Sequence, residues 1–245
     1  MFNFIRKKIE SRLFSGDVKR MIAKGKIPDA QVSLLRLKDL GFNPEIIFDV
    51  GAYQGDFSRM CLDLWPTGKI VAFEALPEKI DLLKNKFNGK NVKIVEGIVG
   101  DESRDDVNYF ADETSSSVLE SQEFTPKKRL KQKMFTLDEY VNRNDLNAPD
   151  FLKIDTQGYE FPILKGFEKN LKSIKVILLE LNFIEVYHQV KLAHEIIQYL
   201  AENGFVIYDI CEIHRRPLDM ALFQIDFIFI KQHSNLRSDK RWDKD

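Results

Sequence analysis

Four carboxylates close apolar runs in this 245-residue chain: Asp49 in EIIFDVG, Glu74 in KIVAFE, Asp155 in FLKID and Glu180 in IKVILLE. An acid at the tip of a buried run is costly to desolvate unless it serves a partner. A carboxylate accepts hydrogen bonds from hydroxyls, takes up a proton, or faces a cation. Two of the four are tied to glycines by spacing. Asp49 precedes Gly51 and Gly55 in DVGAYQGDF, and Glu74 falls 23 positions after Gly51. Glycines after a strand permit a tight turn and close backbone approach to a ligand. An acid about 20 residues further on suits the hydroxyls of a ribose. Alone, each feature reads as an ordinary turn or a surface glutamate. Together they point to a nucleoside-type ligand.

The glycine turn narrows the choice. GAYQG lacks the central glycine that brings a backbone against pyrophosphate, so a nicotinamide or flavin dinucleotide is disfavoured. S-adenosyl-L-methionine has no phosphate and carries a sulfonium cation, which suits a turn flanked by Asp49 and followed by Tyr53. After the third apolar run, VEGIVGD offers Glu96 as a polar group and Ile98 as an apolar wall for an adenine.

These residues need a scaffold that brings strand ends together. Apolar runs at 45–50, 69–73, 92–96, 150–154 and 174–180 read as strands, with late strands at 205–210 and 224–230. Periodic stretches near 54–64, 77–87, 160–170 and 190–203 read as helices. Continuous apolar strands alternating with helices predict an α/β fold with a doubly wound, mostly parallel sheet. Ligands then bind beyond the carboxyl ends of the strands, where the four acids stand. Residues 101–149 break the rhythm with polar sequence and read as an irregular insertion, a lid or substrate loop. The expected division is an N-terminal helical extension over 1–42, one domain over 43–232 and a solvated C-terminal tail over 233–245, unless Trp242 docks.

Composition excludes some functions. With 37 basic and 38 acidic residues, the net charge of −1 gives no overall field for nucleic acid. Basic residues gather in residues 1–26 and in KKRLKQK, 127–133. Ile5, Ile9 and Leu13 recur as on an amphipathic helix, which either packs on its own domain or makes peripheral membrane contact. Two cysteines without metal spacing, no apolar run of spanning length and no signal-like start predict a cytoplasmic protein.

The ordered motifs DVGAYQGDF, FEALP, TLDEY, KIDTQGYE, LLELN and QIDFIFI resemble those of the FkbM-type methyltransferases. The resemblance runs from about Asp49 to Ile230, and KIDTQGYE is its most specific part. It implies a class I, Rossmann-like, S-adenosylmethionine-dependent methyltransferase acting on a hydroxyl of a sugar, glycan precursor or natural product, as in polysaccharide biosynthesis. Tyr53 stands where the family usually has Asn, Ala75 where it has Pro, and Gln157 where it often has Glu. The last removes a carboxylate, so that position cannot be an essential base in this protein. The alternative function is a non-catalytic binding module of the same fold.

Methyl transfer from a sulfonium needs mainly alignment, dryness and removal of a proton. Asp155 is the first candidate for the proton, or else a helix cap. Glu160 divides between helix-start duty and catalysis, and His188 between a base and a surface loop residue. Asp155, Glu180 and Asn182 read as substrate-binding. They also offer oxygens for a hard cation, but oxygen ligands alone do not specify a site, and no metal is expected. Asp138 reads as the cap of a short helix. Ser115–Ser117 read as a loop over the cofactor or as low-complexity sequence. The partner is a small-molecule or glycan acceptor. The oligomeric state is not encoded legibly.

Overall fold

The computed structural model describes residue 21 and residues 27–112, 115–121 and 126–242. The amphipathic repeat at Ile5, Ile9 and Leu13 lies outside them. Among the described residues, the strands β1 (Ile46–Val50), β2 (Lys69–Glu74), β3 (Val92–Glu96), β7 (Phe151–Ile154), β8 (Val176–Asn182), β9 (Phe205–Arg215) and β10 (Leu222–Lys231) form one sheet in the order β3-β2-β1-β7-β8-β10-β9. The first five pair in parallel, and β10 runs antiparallel to both β8 and β9. This is the predicted doubly wound, mostly parallel sheet, with β10 as its antiparallel strand.

Both faces are covered, which is why the strands read as unbroken apolar runs. Ile47, Ile70, Phe151 and Leu178 point to one core with Leu34 and Leu37 of helix α1 (Ala30–Asp39) and Cys61 of α2 (Asp56–Leu64). Their neighbours Phe48, Val71, Leu152 and Leu179 enter the other core. There they meet α4 (Leu137–Arg143), α5 (Glu160–Lys165) and α7 (Ala193–Glu202). Helix α3 (Pro77–Lys86) packs Leu83, with Phe87 just beyond it, on Ala52 and Ala72.

The 101–149 segment is more regular than its polarity suggests. It holds β5 (Arg104–Ala111), β6 (Lys128–Phe135) and α4; β5 and β6 pair antiparallel, and the short β4 (Ile98–Val99) joins β6. Half of the β5 side chains are exposed, and the inward-facing set is only Val107, Tyr109 and Ala111, too short a stripe to announce the strand. The basic run of β6 is answered across the ladder and nearby. Lys127 meets Asp112 at 3.4 Å, Arg129 meets Glu120 at 3.1 Å, Lys131 meets Asp106 at 3.2 Å and Lys133 meets Asp105 at 3.6 Å. Such exposed pairs add little stability, but they cancel the local charge.

Asp138 does not cap its own helix. Thr136 does so, accepting from the Glu139 amide at 3.0 Å. Asp138 is buried and accepts from the Lys169 amide (3.1 Å) and the Asn170 side chain (2.7 Å) at helix α6 (Glu168–Leu171), a partner 31 residues away in sequence. Trp242 is fully exposed. Among the described residues, no helix is long and apolar enough to cross a membrane.

Candidate active site

The carboxyl ends of β1, β2, β7 and β8 enclose a cavity of about 170 Å³, far more than the ~30 Å³ share of one water. Its walls include Gly51, Glu74, Ile98, Tyr109, Asp155 and Glu180. The sequence reading placed five of these six; Tyr109, on the insertion, it missed.

The glycine turn is held tightly. Gly51 has φ +77°, and a methyl group there would lie 1.9 Å from the Asp155 carbonyl oxygen. Gly51 and Ala52 both donate to the Phe73 carbonyl. Tyr53 lines the cavity at φ 47°, a strained value for a non-glycine residue, and its ring lies 4.3 Å under the Lys79 ammonium. Gly55 serves packing instead: a methyl there would strike Leu83 and Phe87 of the neighbouring helix region.

Glu74 receives three backbone amides. Tyr53 donates to Oε2 at 2.6 Å, while Ala75 and Leu76 donate to Oε1 at 2.8 and 2.9 Å. Burial raises its proton affinity, and those amides oppose the rise. Oε2 keeps a free acceptor position for a ligand hydroxyl.

Asp49 lies beneath the turn. It is fully buried, accepts from Ser58 Oγ at 2.6 Å and faces Lys153 Nζ at 3.4 Å. Lys153 is the residue that sequence reasoning passed over. It is buried, donates to the Gly51 carbonyl at 2.9 Å and faces Asp155 at 3.3 Å. Burial acts to lower its pKa, but Asp155 and Asp49 outweigh that and raise it. A lysine inside an otherwise apolar strand was the available signal.

Gln157 fills the place of an acid with an amide. Its Nε2 donates to Glu180 (2.8 Å) and Asp155 (3.3 Å), and its Oε1 accepts from Tyr187 Oη (3.2 Å). It holds φ 55°, and Ser117 Oγ donates to its carbonyl. Ser116 lines the cavity. Thus the serine segment does reach over the site.

Three candidates are placed otherwise than expected. Glu96 ends β3 in register with Glu74, but β3 is the edge strand of the sheet and its side chain is exposed there; Gly97, Ile98 and Val99 form the wall. His188 is exposed, and its amide serves Glu120 in a loop contact at 2.9 Å. Glu160 is buried under the turn after β7. Its Oε1 accepts from Thr156 N, Thr156 Oγ1 and Gly158 N, while Oε2 has no partner among the described residues. It ties together the turn that precedes the helix, and it is not part of the cavity wall.

Asn182 accepts from Gln224 at 3.2 Å, and Gln224 also donates to Glu180 at 2.7 Å. Glu180, His214 and Asp226 bring donor atoms within 4.8 Å of one another, a different set from the predicted Asp155, Glu180 and Asn182. Burial, then Asp155 and Asp226, push the Glu180 acid well up. Burial, then Asp155 and Glu212, push Asp226 up to about 7.

Burial also raises Glu160, from an ordinary 4.5 to about 7. A folded-state pKa above the unfolded value favours the folded form while the group is protonated. Its contribution is therefore full below the unfolded value and lost as pH rises through the folded one. We expect wild-type stability, relative to the uncharged Glu160→Gln variant, to fall by about 3 kcal/mol across that window. Urea unfolding at several pH values measures it, and parallel pH profiles for the two proteins would sink it.

The cavity fits S-adenosyl-L-methionine. Ile98, Val99 and Val118 give apolar walls, and Glu74 presents its acceptor beside the Gly51 turn. Among the described residues no lysine or arginine lines the space to meet a pyrophosphate.

Fold and cavity are those of the class I, S-adenosylmethionine-dependent methyltransferases. A family model for the methyltransferase FkbM domain matches residues 49–207. The chain belongs to the FkbM methyltransferase family. It is 21% identical over 173 residues to the hexuronic acid methyltransferase AglP of Haloferax volcanii, covering 66% of this chain and 70% of that one. It is 33% identical over 91 residues to a malonyl-[acyl-carrier protein] O-methyltransferase of Acetivibrio thermocellus, covering 36% of this chain and 32% of that protein. The crystal structure of an FkbM methyltransferase from Methylobacillus flagellatus superposes with a TM-score of 0.54 at 14% identity, over 82% of this chain and 48% of that one.

Proposed function

We propose that this protein methylates a hydroxyl oxygen of a sugar or glycan-linked acceptor. The observation that carries the reading is the continuity of one cavity from Glu74 and Ile98 to Asp155 and Glu180. One end suits a nucleoside, and the other offers carboxylates and an amide to hydroxyls. The similarity to a hexuronic acid methyltransferase supports a sugar acceptor, and the shorter match to an O-methyltransferase supports oxygen as the methylated atom.

S-adenosyl-L-methionine supplies a sulfonium-activated methyl group when bound. Glu74 holds ribose hydroxyls, and the Gly51 turn lets backbone approach the ligand. Asp155, with its side chain 38% exposed, presents the carboxylate most open to the cavity. Lys153 and Gln157 fix its orientation. It accepts the acceptor's hydroxyl hydrogen bond and its proton. Apolar residues around Ile98, Val99 and Val118 exclude water.

Incubating the protein with cell extract and methyl-labelled S-adenosylmethionine, then hydrolysing the labelled product, tests the reading. A labelled methyl ether of a sugar is expected; label found only on protein or nucleic acid would reject it. Cofactor binding has its own check. Glu74→Ala removes hydrogen bonds to a charged group, so affinity for S-adenosylhomocysteine should drop roughly tenfold to hundredfold. Calorimetry reads this directly, and an unchanged Kd would mean the ribose is held elsewhere.

A further inference from the structure

The two ends of the cavity differ in charge. Beyond β7 and β8 the wall is carboxylate-rich, and its acids continue behind it in register. Glu180 on β8 stands opposite Asp226 on β10, which stands opposite Glu212 on β9. Like charges placed directly across strands are destabilising. Among the described residues, the cations nearby do not balance them. Lys153 is shared between Asp49 and Asp155 and also holds the Gly51 carbonyl. His214 is half-exposed and lies 3.3 Å from Glu212. Protons make up part of the deficit, since Glu180 and Asp226 both hold theirs above the usual carboxylate range. One shielded oxygen of Asp226 has no partner among the described residues. Neither has the amide nitrogen of Asn182, a residue only 1% exposed.

Resting on the methyltransferase reading above, we infer that Glu180, backed by Asp226, selects the acceptor by charge: the sugar ring presented to Asp155 carries no carboxylate and is favoured when it bears an ammonium group. A ring carboxylate would compete with Glu180 and Asp226 for the protons they hold, and among the described residues no lysine or arginine lines the cavity to meet it. An ammonium would supply the missing positive charge, and ring hydroxyls would donate to the same oxygens. The hexuronic acid methyltransferase that this chain resembles is named for an acidic sugar. On this inference the present chain has the opposite preference.

The probes are the methyl glycosides of glucosamine, glucose and glucuronic acid, titrated by ligand-observed NMR into the full-length protein with S-adenosylhomocysteine bound. The glucosaminide should bind tightest. The glucuronide should bind at least about tenfold more weakly, as expected for like-charge juxtaposition. Glu180→Gln, which keeps shape and hydrogen bonding, should narrow that difference. Asp226→Asn should do the same without touching the cavity wall. A glucuronide that binds as well as the glucosaminide overturns the inference. So does an order left intact in both variants, or a protein that binds S-adenosylhomocysteine but none of the sugars. Loss of S-adenosylhomocysteine binding in the wild-type protein would instead count against the cofactor reading. Repeating the titration with Mn²⁺ separates the remaining source of positive charge. If the glucuronide binds only with the metal, the cation belongs to Glu180, Asp226 and His214, and the ammonium preference falls.

Discussion

Replacing Gly51 with alanine should abolish cofactor binding and cost more than about 4 kcal/mol of stability, a loss reserved for a few severe mechanisms. Two of them act together here. At φ +77° an L-residue costs roughly 1–2 kcal/mol on its own. The added methyl would also lie 1.9 Å from a backbone oxygen, that of Asp155, which cannot swing aside like a side chain. To make room, the turn after β1 must part from the end of β7. That movement strains the Asp155 amide bond to the Val50 carbonyl (3.1 Å) and the Gly51 amide bond to the Phe73 carbonyl (3.1 Å). The movement opens the cavity between the strands that form it. Urea unfolding and S-adenosylhomocysteine calorimetry measure both effects. A variant with wild-type midpoint and affinity would show that the turn is not the constraint described.

Lys153→Met carries the second large effect. Methionine matches the stem but removes the cation, leaving Asp49 fully buried with Ser58 as its remaining close partner. Breaking a buried ion pair from one side costs about 3–5 kcal/mol. The Gly51 carbonyl also loses its donor, so cofactor affinity should fall with stability. The informative comparison is the double variant with Asp49→Asn, which removes the stranded charge. It should be more stable than Lys153→Met alone, giving a coupling energy of about 1–3 kcal/mol between neighbours in one network. Additive losses would mean that the two groups do not act as a pair, and that Lys153 matters only through Asp155 or packing.

The sequence was most legible where burial dictates pattern. Strands enclosed on both faces need apolar side chains at every position, so IIFDV, KIVAFE and VILLELN stood out unaided. The glycine turn was legible for a steric reason, since few residues tolerate its backbone. Glu74 followed from spacing. The β5–β6 hairpin was not legible, because half of its side chains are exposed, many of them charged, and its apolar stripe is short. Glu96 was misplaced because β3 is the edge strand of the sheet, where even a residue in register with Glu74 stays exposed, and the wall falls to Gly97 and Ile98. Asp138 sat in the first turn of one helix and capped another.

The sequence by itself determined the α/β alternation, the family motifs and which acids end strands, since each depends on residues close together along the chain. Tertiary structure decided which of those ends meet. Lys153 and Gly51 lie 102 positions apart, yet the crossover connection sets β7 beside β1 and brings the ammonium to the glycine carbonyl. Asp226 and Glu212 face Glu180 only through the antiparallel register of the last two strands. A buried charge is balanced by whatever is close in space, in a medium that screens weakly. Charge balance at this site therefore follows from strand order and register, which no local stretch of sequence contains.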